Sequence, residues 1–91
     1  MIKISPTSKF RKDYKKIQKR GYNLKLLENV VKILAETKTL PEKYLPHPLQ
    51  GDYKGYMECH ILPDWLLIYK IKDDELVLVL SRTGTHSDLF K

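Results

Sequence analysis

Three apolar runs fill the second half of the chain, YKGYMECHI from residue 53, WLLIYKI from 65 and LVLVLS from 76, and only LPD and KDDE separate them. A parallel crossover needs a dozen or more residues, so connections this short force the three runs to pair as antiparallel neighbours. Alternation along a strand then sets Tyr56, Glu58 and His60 on one face of the first run and Met57, Cys59 and Ile61 on the other. The second set reads as the core side, which leaves the His60 face as the open one.

The first half has helical rather than strand periodicity. MIKIS predicts a short strand, and Ser5-Pro6 predicts a helix start. Phe10, Tyr14 and Ile17 recur at helical spacing until Gly21. Asn23 can cap a second helix, in which Leu27, Val30, Val31 and Leu34 form one buried stripe until Pro41 forbids continuation. The expected architecture is α+β, a single domain over residues 1–91 with a twisted, mainly antiparallel four-stranded sheet packed against two N-terminal helices.

Charge is distributed unevenly between these halves. Residues 1–20 hold eight basic side chains against Asp13 alone, a net +7 in a chain whose total is +6. All the excess positive charge therefore lies on the first helix and its flanks, as expected of a surface that meets a polyanion or an acidic protein. A lone cysteine, Cys59, excludes an internal disulfide framework. MIKISPTSKF lacks the apolar segment of a secretory signal, and the apolar runs are strand-sized, so a cytoplasmic protein without membrane contact is expected.

The residues able to do chemistry gather in the loops of the second half. LPEKYLPHPLQG, residues 40–51, carries three prolines and reads as a stiff extended connection that holds His47 between Pro46 and Pro48. His60 and Asp64 flank the LPD turn beside Trp65. RTGTHSDLFK abandons the apolar pattern and presents Arg82 and His86 around a Gly-containing bend. Arg82, leaving a strand just before that bend, is expected to project from the sheet rim.

Such a set suits RNA scission by attack of the 2′-hydroxyl on the adjacent phosphorus. That reaction needs a base, an acid and positive charge on the phosphorane oxygens. Histidine can move either proton near neutral pH, and Arg82 can pair with two phosphoryl oxygens at once. Trp65, Tyr53, Tyr56 and Phe90 offer rings for base stacking. The same residues admit a zinc reading through His47, His60, His86 and either Asp64 or Cys59, but no motif of ordinary zinc spacing occurs. A non-catalytic RNA-binding module, with the basic helix on phosphates and the aromatics on bases, is the alternative from another class.

HPLQGDYKGYMECHILPDWLLIYK and SRTGTHSDLF, taken together, resemble the YafQ branch of the RelE-like toxins, and the likeness covers essentially the whole chain. The resemblance implies a ribosome-dependent endonuclease that cuts messenger RNA in the ribosomal A site, and the His/Asp/Arg set without a metal motif leads to the expectation of a metal-independent reaction with no cofactor. It further implies a cognate RelB- or DinJ-like antitoxin as partner, through which operator DNA is reached only indirectly. Carried over by position, the family's functional residues fall on His47, His60, Asp64, Trp65, Arg82, His86 and Phe90. His86 is then expected as general acid, Arg82 as the transition-state cation, and His60 or His47 as base with Asp64 assisting. Lys12, Lys15, Lys16 and Lys19 are expected to bind RNA.

Overall fold

A computed structural model describes residues 2–90. The chain runs β1 (Lys3–Pro6), α1 (Ser8–Lys19), α2 (Leu24–Thr37), β2 (His47–Pro48), β3 (Met57–Leu62), β4 (Trp65–Lys72), β5 (Val77–Gly84) and the single-turn α3 (His86–Leu89). Two 3-10 turns, Glu42–Tyr44 and Gly51–Tyr53, flank β2. Among the described residues, no helix is long and apolar enough to cross a membrane.

The strands form one sheet in the order β1-β5-β4-β3-β2, with β1 parallel to β5 and the other pairs antiparallel. The expected meander β3-β4-β5 is present. The sheet nevertheless has five strands and is mixed, not four-stranded. The added strand is the two-residue β2, where His47 pairs with Glu58 and Pro48 with Met57. Pro48 has no N–H to extend a ladder, so this piece of the proline-rich connection carries no alternating pattern to announce it.

The helix ends follow local chemistry. Thr7, not Ser5, caps α1: its hydroxyl accepts the Phe10 N–H at 3.1 Å and donates to the Ser81 carbonyl at 2.9 Å, which ties the helix start to β5. Pro6 ends the preceding strand instead of opening the helix. Asn23 caps α2 through the Lys25 N–H, and α2 closes at left-handed Lys38 before Pro41. Phe10 and Ile17 from α1 and Leu27, Val30, Leu34 and Ala35 from α2 bury against Cys59, Ile61, Leu67, Tyr69, Leu78 and Leu80 of the sheet. Burial pushes the Cys59 thiol up to about 12, which leaves it inert on the side away from the histidines.

The opposite face is only partly open. Leu66 and Ile68 are fully buried there by Leu89, with Leu49, Tyr53 and Tyr56 packed around them. WLLIY is thus a continuous apolar run because the first five residues of central β4 are covered on both faces. The connection ahead of β3 and the C-terminal α3 supply the second cover.

Candidate active site

Register places the chemistry on that second face. His47 on β2 pairs with Glu58 on β3, Glu58 with Ile68 on β4, and Ile68 with Arg82 on β5, so four residues lie in one row across four strands. His60 sits two residues beyond Glu58 on the same face. Glu58 and Arg82 are two strands apart, roughly 10 Å between backbones at ordinary strand spacing, with Ile68 as the floor between them.

Three imidazoles line one end of this floor. The ring centroids of His47 and His60 lie 6.4 Å apart, and those of His60 and His86 lie 5.8 Å apart. Buried Glu58 reaches two of them, with Oε1 at 3.0 Å from His47 Nε2 and 3.7 Å from His60 Nε2. The His60 Nδ1 lies 3.3 Å from the Pro63 carbonyl, which can only accept, so this contact favours the tautomer with a proton on Nδ1 and a free Nε2. His47, Glu58 and His60 are also the candidate metal cluster among the described residues, their ligand atoms all within 4.8 Å of one another.

His86 is held from a different direction. Asp64 Oδ1 accepts the His86 backbone N–H at 2.9 Å and lies 2.6 Å from Nδ1, which leaves Nε2 facing outward. The backbone hydrogen bond, helped by the side-chain one, holds the Asp64 carboxyl below its usual range. Asp64 is therefore an orienting group for His86 and not for His60, although His60 is its neighbour in sequence.

Behind His86, α3 is anchored to α1. Asp88 accepts two hydrogen bonds from the Arg20 guanidinium, at 2.7 and 3.0 Å, and completes a capping box with Thr85. A Cβ at Gly84, whose φ is +151°, would meet Asp88 Oδ2 at 2.9 Å, so glycine is needed for this close approach. Arg20 is the main cause that holds the Asp88 carboxyl well below its usual range. The folded protein thus prefers the carboxylate, and this contribution to stability is complete above the unfolded value near 3.8, declines below it and is lost as pH falls through the lower folded-state value. Urea unfolding of Asp88→Asn against wild type should show a deficit that is greatest near neutrality and closes in acid. A deficit independent of pH would assign the loss to packing alone.

Arg82 departs from the sequence expectation. It is not a free side chain at the sheet rim: its Nε donates to Asp13 Oδ2 at 2.6 Å and its Nη2 to Asp13 Oδ1 at 3.1 Å. Asp13 is 6% exposed and also accepts the Thr83 N–H at 3.2 Å. The cause is topological. β1 pairs only with Val77–Leu80, leaving the far half of β5 as an edge on which α1 packs with its one acidic residue. The Asp13 hydrogen bonds raise the Arg82 pKa further, so it stays charged.

Trp65 also requires correction. It is 1% exposed on the helix side of the sheet, donates Nε1–H to Thr83 Oγ1 at 2.9 Å and meets Tyr22 edge-on at 5.0 Å. A ring buried there cannot stack on RNA, and period two puts it with Leu67 and Tyr69 in the main core. Trp65→Ala should cost about 3–5 kcal/mol of stability in urea unfolding. An unchanged midpoint together with lost RNA affinity would restore it to the binding surface.

Phe90, 43% exposed, does present its ring on the site side, against Tyr53 with centroids 5.9 Å apart. Lys12 and Lys16 border Arg82, whereas Lys15 lies on another face of α1 beside Arg11 and Gln18, and Lys19 is exposed near the helix end. Four residues that shape the site escaped the sequence reading: Asp13, Arg20, Glu58 and Asp88. Of these, Asp13 carried a usable signal as the single acid in a strongly basic helix, and Glu58 another by sharing the His60 face.

Comparison with known proteins identifies the family and the fold. The family described as "Bacterial toxin of type II toxin-antitoxin system, YafQ" matches residues 2–91. The mRNA interferase toxin YafQ of Escherichia coli is 43% identical over 88 residues, spanning 96% of this chain and 94% of that protein. A metal-bound toxin from Helicobacter pylori superposes with a TM-score of 0.91 at 49% identity, over 99% of this chain and 100% of the other. The chain in an E. coli DinJ-YafQ complex superposes at 0.89 with 40% identity, covering both chains completely. A match along nearly every residue, in sequence and in fold together, makes this chain a member of the YafQ family of type II toxin–antitoxin toxins.

Proposed function

We propose that this toxin is an endoribonuclease that cuts messenger RNA in the ribosomal A site and is neutralised by a DinJ-like antitoxin. The observation that carries the reading is the convergence of three imidazoles and Arg82 on one face of the sheet. The name of the E. coli relative supports the activity, and the DinJ complex supports the partner. In the proposed reaction the 2′-oxygen bonds to phosphorus as the bond to the 5′-oxygen breaks. The 2′-hydroxyl proton passes to the Nε2 of His60, because the His47 Nε2–H is committed to Glu58, and His86, as the imidazolium held through Nδ1–H by Asp64, delivers its Nε2 proton to the leaving oxygen. Arg82 supplies charge to the phosphorane oxygens with the donors that Asp13 leaves free. Phe90 offers a ring to a splayed-out base. Lys12, Lys15, Lys16 and Lys19 contribute affinity for RNA phosphates.

A metal reading has one specific observation in its favour, the His47–Glu58–His60 cluster. A divalent cation there would be held by both imidazoles and the carboxylate, and would occupy the lone pairs that the base requires. Message cleavage should therefore persist when the toxin is stripped with a chelator and returned to intact translating ribosomes, and zinc in excess should inhibit it. Activity lost on stripping and restored by titrated zinc or manganese would overturn the acid–base assignment.

A further inference from the structure

Beside Arg82 the surface opens into a cleft of about 270 Å³ lined by Lys9, Lys12, Asp13, Lys16 and Arg82. The three lysines follow helical spacings of three and four, so they share one stripe of α1. Asp13 occupies the same stripe but is turned inward, its two oxygens taken by Arg82 and the Thr83 N–H. Arg82 in turn neutralises it, and among the described residues none of the three ammonium groups takes part in a salt bridge. Three like charges are thus left around one concavity with nothing to offset their repulsion. The only carboxylate within the cleft is already engaged.

We propose that this cleft is a second phosphate site, which holds a backbone phosphodiester of the RNA strand being cut. The inference rests on the nuclease reading and deepens it. Arg82 forms the inner wall of the cleft and stands in the cross-strand row with His47 and Glu58, so a strand whose scissile phosphate meets the histidines can continue past Arg82 onto α1. The basic helix is thereby divided. Lys9, which the sequence did not single out, joins Lys12 and Lys16 on the message, while Lys15 faces elsewhere.

The test is anisotropy of a fluorescein-labelled, 2′-O-methylated RNA decamer, which cannot be cleaved, titrated with wild-type toxin over a range of salt. Lys9→Gln/Lys12→Gln/Lys16→Gln should weaken binding by about tenfold or more and reduce the salt slope by about 0.7, as expected when one single-strand phosphate contact is lost. Lys3→Gln/Lys25→Gln/Lys32→Gln removes the same charge from other exposed positions and should change affinity less than about threefold. Equal losses in both triples would reduce the cleft to a diffuse field, and no loss in the first would remove it as a site. If the cleft triple keeps decamer affinity but no longer sediments with message-free ribosomes, the phosphate belongs to ribosomal RNA and the assignment to the cut strand is overturned. Mapping of message ends with wild-type toxin is run alongside. Cleft-dependent binding without cleavage would leave the site standing and remove the nuclease reading.

Discussion

Arg82→Ala is expected to abolish message cleavage and, at the same time, to destabilise the fold. Loss of one electrostatic contact to a developing oxyanion costs about 10²–10³ in rate. The structural cost arises from Asp13, whose carboxylate stays buried with only the Thr83 N–H to serve it. A buried polar group deprived of its partner costs about 1–3 kcal/mol, more if charged. For a domain of this size each kcal/mol lowers the melting temperature by about 4–8 °C. Asp13→Asn/Arg82→Ala separates the two effects, because an amide keeps an acceptor for Thr83 without stranding a charge. The double variant should recover most of the lost stability and none of the activity. Recovery of cleavage would show that Arg82 acts only by neutralising Asp13.

His86→Ala should lose activity on a similar or larger scale, about 10²–10⁴ for a group that transfers a proton in the transition state. Its stability should stay within about 0.5 kcal/mol of wild type, because the His86 side chain is 54% exposed and caps nothing with its ring. Asp64→Asn tests the orienting role separately. A neutral amide neither stabilises the imidazolium that carries the Nε2 proton nor fixes the ring through Nδ1–H alone, since it can offer N–H as well as oxygen to Nδ1. Turnover should fall with little change in the substrate concentration needed, and Asp64→Glu should recover part of it. Single-turnover cleavage on programmed ribosomes reads both. Should His86→Ala cut at wild-type speed, the acid would have to be sought in His60 or His47.

The two proposed proton-transfer sites differ in how they are built. His86 rests on a short helix clamped to α1 by Arg20 and Asp88, so its position depends on the packing of the two ends of the chain. His47 depends on Glu58 and on the two-residue pairing of β2 with β3, and His60 on the β3–β4 ladder. Changes in α1 should accordingly be felt at His86 and Arg82 before they are felt at His60.

The division between local and tertiary information follows the range of the forces involved. The cap and stop of the second helix and the meander with its turns were legible, because Asn23, Pro41, the alternating runs and the short turns act within a few residues of themselves. The β2 bridge was not, since a two-residue strand beside Pro48 has no period to detect. The exposure of Trp65 was not legible either. β4 is covered on both faces, so its uniform apolar pattern says nothing about which side each ring takes. Least legible was the environment of Arg82, which depends on an ion pair between residues 69 positions apart. The sequence by itself determined which side chains could do chemistry. Whether each faces solvent, core or counter-charge was decided only when α1 settled on the unpaired end of β5, because burial and ion pairing depend on what the far parts of the chain bring alongside.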